Sequence, residues 1–312
     1  MCSHTNTYLK GWKLMFKCKQ IMLGIAPIGW TNDDMPQLGG ENTFEQCISE
    51  AALAGFQGTE VGGKYPTDPA ELKKAMDLRD LKIASQWFSS FLCEKSYEEN
   101  EAAFIKQLDF LEAVGANRIN VCELTRCLFA SKESMFGSAK PKATDSEWRK
   151  LSSGLDKLGA IASKRGFKLC FHHHMATVVQ TVAETRRLME TTNPKYVYLC
   201  FDTGHFTFAG EDAVAACREF APRIGHVHLK DIRKDKMDRA VKEGFYFRQA
   251  VLENCFTVPG DGCVDYPSIF KILDDEGYEG WLLVEAEQDP AKSNPFEYAL
   301  KARNYILKTA GI

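Results

Sequence analysis

Short apolar runs alternate with amphipathic stretches along almost the whole chain, and a parallel sheet joined by crossover helices imposes that alternation. Eight such runs read as strands: Ile21–Ala26, Thr59–Val61, Lys82–Trp87, Arg118–Cys122, Lys168–His172, Val197–Asp202, Ile224–Leu229 and Trp281–Glu285. The stretches between them carry helix punctuation. Thr43 with Gln46 three residues on makes a capping box, and Asp68-Pro69 sets an N-cap before a proline at the first helical position. Gly55, Gly115, Gly166 and Gly277 each close an amphipathic stretch, where a left-handed C-cap favours glycine.

Eight strand–helix units over about 290 residues predict a single-domain α/β fold, the (β/α)8 TIM barrel, spanning residues 21–312. A doubly wound sheet is the alternative, because strand number alone does not prove closure. The longer connections, around Thr31–Glu41, Thr125–Thr144 and Arg233–Gly262, all follow strands, the side on which barrels build their sites.

Composition narrows the function classes. With 39 basic against 42 acidic side chains and no extended Lys/Arg cluster, nucleic acid is not an expected partner. No run reaches the roughly 18 apolar residues of a membrane span. The 11 cysteines are scattered with no Cys-x-x-Cys pair, which predicts free thiols and a reducing, cytoplasmic location. Residues 1–20 are polar and interrupted by lysines, unlike a secretory signal; they read as a loosely held extension, with Met15 an alternative start.

Four polar clusters fall at the C-terminal ends of the last four strands. In LCFHHHMAT the strand alternation puts His172 and His174 on one face and His173 on the other. LCFDTGHF ends a strand at Asp202 and sets His205 at the entrance to the next helix; a helix-capping carboxylate would look the same. IGHVHLKD puts His226 and His228 on one face, and GWLLVEAEQD closes its strand with Glu285. A carboxylate leaving an apolar strand must be paired, solvated or metal-bound. Imidazoles and carboxylates converging on one barrel mouth suit a divalent cation with open positions, and the mixed N/O set favours Mn²⁺, Co²⁺ or Zn²⁺ over Mg²⁺ or Ca²⁺.

These residues resemble the xylose-isomerase-like barrel superfamily of sugar isomerases, epimerases and dehydratases. The resemblance runs from about Leu23 to the C-terminus, on GIAPIGWTNDDMPQLGGENTFEQCISE, GFQGTEVG, ASQWFS, FHHHMAT, FDTGHF, HVHLKD and PGDGCVDY. It implies a metal held at the ends of strands five to eight, matched here by Asp202, His228 and Glu285. Where the superfamily carries a glutamate at strand five, this chain has His172, with His174 two residues later. The superfamily's isomerases and epimerases use paired glutamates on strands five and eight, so the resemblance implies a dehydratase acting on a small cyclic polyol ketone, with an isomerase or epimerase as the alternative. On that reading His172, Asp202, His228 and Glu285 hold the metal. His174 or His205 moves protons, and Lys230 adds positive charge or holds a hydroxyl. Trp30, Asn32, Gln86 and Glu123 line the polyol pocket. Barrels of this family often associate, so a homo-oligomer is expected. A polyol-binding module without catalysis would bind ligand indifferently to chelator.

Overall fold

Closure is settled by the pairing of the first strand with the last. The computed structural model describes Phe16 and residues 20–312. Its parallel strands are β1 (Ile21–Ile25), β2 (Gly58–Val61), β3 (Lys82–Ser90), β4 (Arg118–Glu123), β5 (Lys168–His172), β6 (Val197–Asp202) and β7 (Ile224–Leu229), and the last is β10 (Gly280–Val284). They follow the order β1-β10-β7-β6-β5-β4-β3-β2 in a closed barrel, and β1 pairs with β10 from Ile21↔Gly280 to Ile25↔Val284. The expected barrel is therefore present and the doubly wound alternative is not. Two short strands, β8 (Asp231–Ile232) and β9 (Phe256–Thr257), form a separate antiparallel ribbon after β7. Apart from Phe16 and Gln20, the expected extension lies outside the described residues; Phe16 packs its ring 6.0 Å from Phe270. Among the described residues no helix is long and apolar enough to cross a membrane.

The helices start and stop where expected, but the expected capping box at Thr43 is only half made, because the Gln46 side chain donates to Glu50 Oε1 instead of reaching back to the Thr43 backbone. Thr43 accepts a hydrogen bond from the Gln46 backbone N–H, and Asp68 accepts from those of Ala70 and Glu71. Gly277 closes the helix Tyr266–Glu276 at φ +71°, a left-handed turn that a Cβ would strain.

Inside the barrel the floor is packed by Trp281 and Leu283 with Ala26 and Ala84. Burying a tryptophan ring contributes roughly 4–6 kcal/mol by area. Gly58 makes room for it: a Cβ there would lie 2.5 Å from Trp281 Cη2 and 2.5 Å from the Lys82 carbonyl oxygen.

A second apolar cluster sits over the C-terminal mouth, and all three long connections feed it. Met35 and Leu38 come from the first, Phe129 and Met135 from the second, and Phe245, Phe247 and Phe256 from the third. The third is more ordered than its sequence suggests, holding the helices Lys234–Glu243 and Phe247–Leu252.

Candidate active site

Period-two alternation builds the site. His172 ends β5, Asp202 ends β6, His228 lies next to the end of β7, and Glu285 follows β10, its backbone N–H donating to the Leu229 carbonyl at 3.2 Å. All four project into the barrel mouth, and one ligand atom from each falls within 4.8 Å of the others. His172 Nε2 is 3.1 Å from His228 Nδ1 and 3.5 Å from Asp202 Oδ2, and His228 Nδ1 also contacts Glu285 Oε2. Ligands about 2.0–2.2 Å from one cation would be spaced by about 3–4 Å, so slight contraction is all that is needed.

Two observations fit this quartet to a divalent cation. Asp202 Oδ2 and His172 Nδ1 are buried with no hydrogen-bond partner, and an ion beside the carboxylate would satisfy the first. The donors are two imidazoles and two carboxylates, a borderline set suited to Zn²⁺, Mn²⁺ or Co²⁺. The charge states also favour ligation. Burial would raise the Asp202 carboxyl, but His205 and Lys230 hold it well below the usual range. Glu285, likewise opposed by burial, is brought down to about 2 by His228 and Lys230. Burial keeps His172 neutral, at about 4. Without an ion, burial is overcome at His228 by Cys200, Glu285 and Glu60, which keep the ring protonated well above its ordinary value.

A second group stands one step further out. Lys230 is fully buried, and its ammonium donates to Glu285 Oε1 at 2.9 Å, Glu287 Oε2 at 2.5 Å and His205 Nε2 at 3.0 Å. Three N–H groups meet three acceptors, so no donor remains for a substrate. Burial opposes this charge, but Glu285, Glu287 and Asp202 outweigh it and raise the lysine further. Lys230 is thus a fixed cation. His205 is also fully buried; since its Nε2 accepts from Lys230, Nδ1 carries the proton, and burial with His174 and Lys230 nearby keeps the ring neutral. His174 differs, because it borders the open cavity. Its Nδ1 donates to the Met175 carbonyl at 2.7 Å, so in the neutral ring Nε2 is the basic nitrogen, 3.7 Å from Glu287 Oε1. Phe129, Phe247 and Trp87 surround the ring with centroids at 4.5, 5.2 and 5.8 Å.

The cavity holds about 300 Å³. Asp33, Asp34, Glu60, Glu285 and Glu287 offer acceptors around it, while Trp87 and Phe129 offer flat apolar faces. Of the sequence candidates, His172, Asp202, His228 and Glu285 come together as the quartet, and His174, His205 and Lys230 form the adjoining group.

The four pocket candidates from earlier in the chain lie off the cavity, each for a local reason. The Trp30 indole turns into the helix layer and donates to Glu50 Oε2 at 2.5 Å. Asn32 closes a turn by accepting the Asp34 and Met35 backbone N–H groups, both at 2.9 Å, while its neighbours Asp33 and Asp34 reach the cavity. Gln86 faces outward because β2 and β3 shift register between Thr59↔Ile83 and Val61↔Gln86. The extra residue on β3 flips its alternation, so Trp87 and Ser89 point in. Glu123 points outward too, accepting from Ser90 Oγ at 2.8 Å and the Leu92 N–H at 2.9 Å.

Sequence reasoning missed Glu60 and Glu287. Glu60 lies next to the end of β2, where its Oε1 accepts from His226 Nε2 and His228 Nε2, each at 3.1 Å, from Asn120 Nδ2 at 2.7 Å, and from the Ser85 hydroxyl. Burial opposes its charge, but His228 and His226 hold the carboxyl well below the usual range. Glu287 was marked by its spacing of two from Glu285.

Comparison with known proteins agrees with this architecture. Residues 48–308 match the xylose isomerase-like TIM barrel family. An inosose dehydratase of Clostridium perfringens is 56% identical over 292 residues, covering 94% of this chain and 98% of that protein. One from Geobacillus thermodenitrificans is 54% identical over 298 residues, 96% of this chain and 100% of its own length. Among solved structures, the IOLI protein with a bound zinc atom superposes with a TM-score of 0.70 at 15% identity, covering 93% of this chain and 98% of that one. By sequence and architecture together, the chain belongs to the inosose dehydratases within the xylose isomerase-like TIM barrel family.

Proposed function

We propose that this protein is a metal-dependent hydro-lyase that removes water from 2-keto-myo-inositol to give a trihydroxycyclohexane-1,2-dione in inositol catabolism. One observation carries the reading. In a chain related to inosose dehydratases over nearly its whole length, a metal-type quartet and a histidine base with a pinned tautomer border one cavity.

His172, Asp202, His228 and Glu285 would hold the cation, with Mn²⁺ or Co²⁺ favoured and Zn²⁺ the other candidate. When bound, such an ion supplies Lewis-acid stabilisation of negative charge developing beside the ketone, roughly several kcal/mol of barrier. The chain's own groups move the proton. His174 Nε2 takes the hydrogen from the carbon next to the ketone, and the resulting imidazolium is steadied by Glu287. The same Nε2–H then protonates the hydroxyl on the adjacent carbon. As that C–O bond breaks, the electron pair of the former C–H bond becomes the new C=C bond, and one water leaves. The product is the enol of the dione. Lys230 and Glu285 hold the surrounding charge fixed, so no solvent reorganisation is needed. The carboxylates of Asp33, Asp34 and Glu287 accept polyol hydroxyls, and Trp87 and Phe129 pack against the ring face. The reading carries a cytoplasmic location, in keeping with the free thiols of the described cysteines.

The test is incubation of 2-keto-myo-inositol with the purified protein and Mn²⁺ or Co²⁺. An ultraviolet-absorbing product lighter by one water is expected. A product of unchanged mass would instead establish isomerisation or epimerisation. Asp202→Ala and His228→Ala should lose both bound metal and turnover with the far-ultraviolet circular dichroism of the parent; variants that kept both would remove the quartet from the mechanism.

A further inference from the structure

One buried polar cluster in the barrel is not used by the reaction above. Glu60, Ser85, Asn120 and His226 form a layer beneath the quartet, on β2, β3, β4 and β7. Their bonds converge on one atom, Glu60 Oε1. The arrangement decides the tautomer of His228. A carboxylate only accepts, so the 3.1 Å contact to Glu60 Oε1 makes His228 Nε2 the protonated nitrogen. In the neutral, metal-binding ring the lone pair is then left to Nδ1, which points at His172, Asp202 and Glu285. Asn120, Ser85 and His226 in turn fix the carboxylate, so it cannot swing away.

We propose that Glu60 is the positioning residue of the metal centre: through His228 Nε2–H it fixes the ring with Nδ1 toward the quartet and makes that nitrogen a stronger donor. The inference rests on the metal-dependent reading. Carboxylates that orient a ligating imidazole typically change metal affinity by about 10–100-fold. Two variants grade the effect. Glu60→Gln keeps the shape and an accepting oxygen but loses the charge, whereas Glu60→Leu loses the acceptor altogether.

The experiment measures Mn²⁺ affinity by competition with a fluorescent chelator and records the visible bands of the Co²⁺-loaded protein, both without substrate. Glu60→Gln should bind Mn²⁺ about 10-fold more weakly and shift the Co²⁺ bands, and Glu60→Leu should approach 100-fold. A merely structural role would lower Tm and leave the spectrum of the loaded protein as in the parent. Glu60→Gln with parental affinity and parental Co²⁺ bands overturns the proposal, whatever becomes of Glu60→Leu. Because no substrate is present, failure of the dehydratase reading is separable: a parent protein that grips the ion yet leaves keto-inositol unchanged would remove that reading and leave this one standing.

Discussion

Replacing Lys230 by Met tests the charge arrangement most directly. The two side chains have similar length and flexibility, so the ammonium is the main loss. In the parent, that ammonium lies 2.9 Å from Glu285, 2.5 Å from Glu287 and 3.7 Å from Asp202, with no exposure to solvent. Its removal leaves three buried carboxylates facing one another, with the protonated His228 beside Asp202 and Glu285 but not beside Glu287. Breaking a buried pair by deleting one partner costs about 3–5 kcal/mol. For about 290 ordered residues at roughly 2.1 cal/mol/K each, the unfolding entropy is about 0.6 kcal/mol/K, so the loss corresponds to a Tm lower by about 5–8 °C. The sign of the metal response is equally specific. A dication entering the quartet neutralises the surplus charge, so saturating Mn²⁺ should raise the Tm of Lys230→Met by more than it raises the parent's. Scanning calorimetry on chelator-treated and Mn²⁺-loaded samples measures both quantities. A variant that melts within one degree of the parent without metal, or gains no more from Mn²⁺, would show that Lys230 is not the counter-charge.

His174→Gln removes the base but leaves the quartet intact. Steady-state assays should give a kcat lower by about 10²–10⁴-fold with parental Mn²⁺ affinity, and a smaller loss would move the proton-transfer role elsewhere. The metal-free protein should lose stability as pH falls from about 6.5 to 4. His172 and His226 are held at about 4 in the fold by burial but titrate near 6.5 when unfolded. The unfolded state therefore binds more protons in that window, and the unfolding free energy from denaturant titrations should fall by about 1.4 kcal/mol per pH unit for each histidine. His228 works the other way above that window. Raised in the fold, it contributes stability below about pH 6.5 that is lost as pH climbs through its folded value. Gly58→Ala should cost about 1–3 kcal/mol in urea unfolding, because a Cβ 2.5 Å from the Lys82 carbonyl oxygen meets backbone that does not yield; an unchanged midpoint would mean the barrel floor is loosely packed.

The parts of this site legible in the sequence are those where alternation runs unbroken to a strand end. His172 with His174, and His226 with His228, share a face simply because they are two apart, and β5 and β7 honour that spacing to the barrel mouth. The legibility fails where alternation is interrupted or where a loop takes over. The β3 register shift inverts the face of every later residue on that strand, so Trp87 rather than Gln86 meets His174. Trp30 and Asn32 follow a 3-10 turn, where no periodicity tells inside from outside. Glu123 is different, since its parity was available: Asn120 three positions earlier faces inward, which sends Glu123 outward. Glu60 lies in a strand of four residues, too short to show a pattern, and its partners on β3, β4 and β7 become neighbours only when the barrel closes.

The same spacing of two explains why the site is layered. Along β7 and one step past it, residues 226, 228 and 230 climb the barrel axis. His226 meets Glu60, His228 meets the quartet, and Lys230 meets His205 and Glu287. After β10, Glu285 and Glu287 repeat the step, as do His172 and His174 at β5. The layers differ in what their charges do. The lowest fixes a tautomer, the middle one gathers ligands, and the upper one sets a base beside the cavity. Glu285 joins the last two, with Oε1 on the fixed ammonium and Oε2 against His228. A change that rotates Glu285 must therefore disturb the metal position and the base together. Glu285→Gln should lower metal affinity and kcat in parallel, whereas Glu287→Gln should lower kcat at parental metal affinity. Were the two variants to behave alike, the division into layers would be wrong.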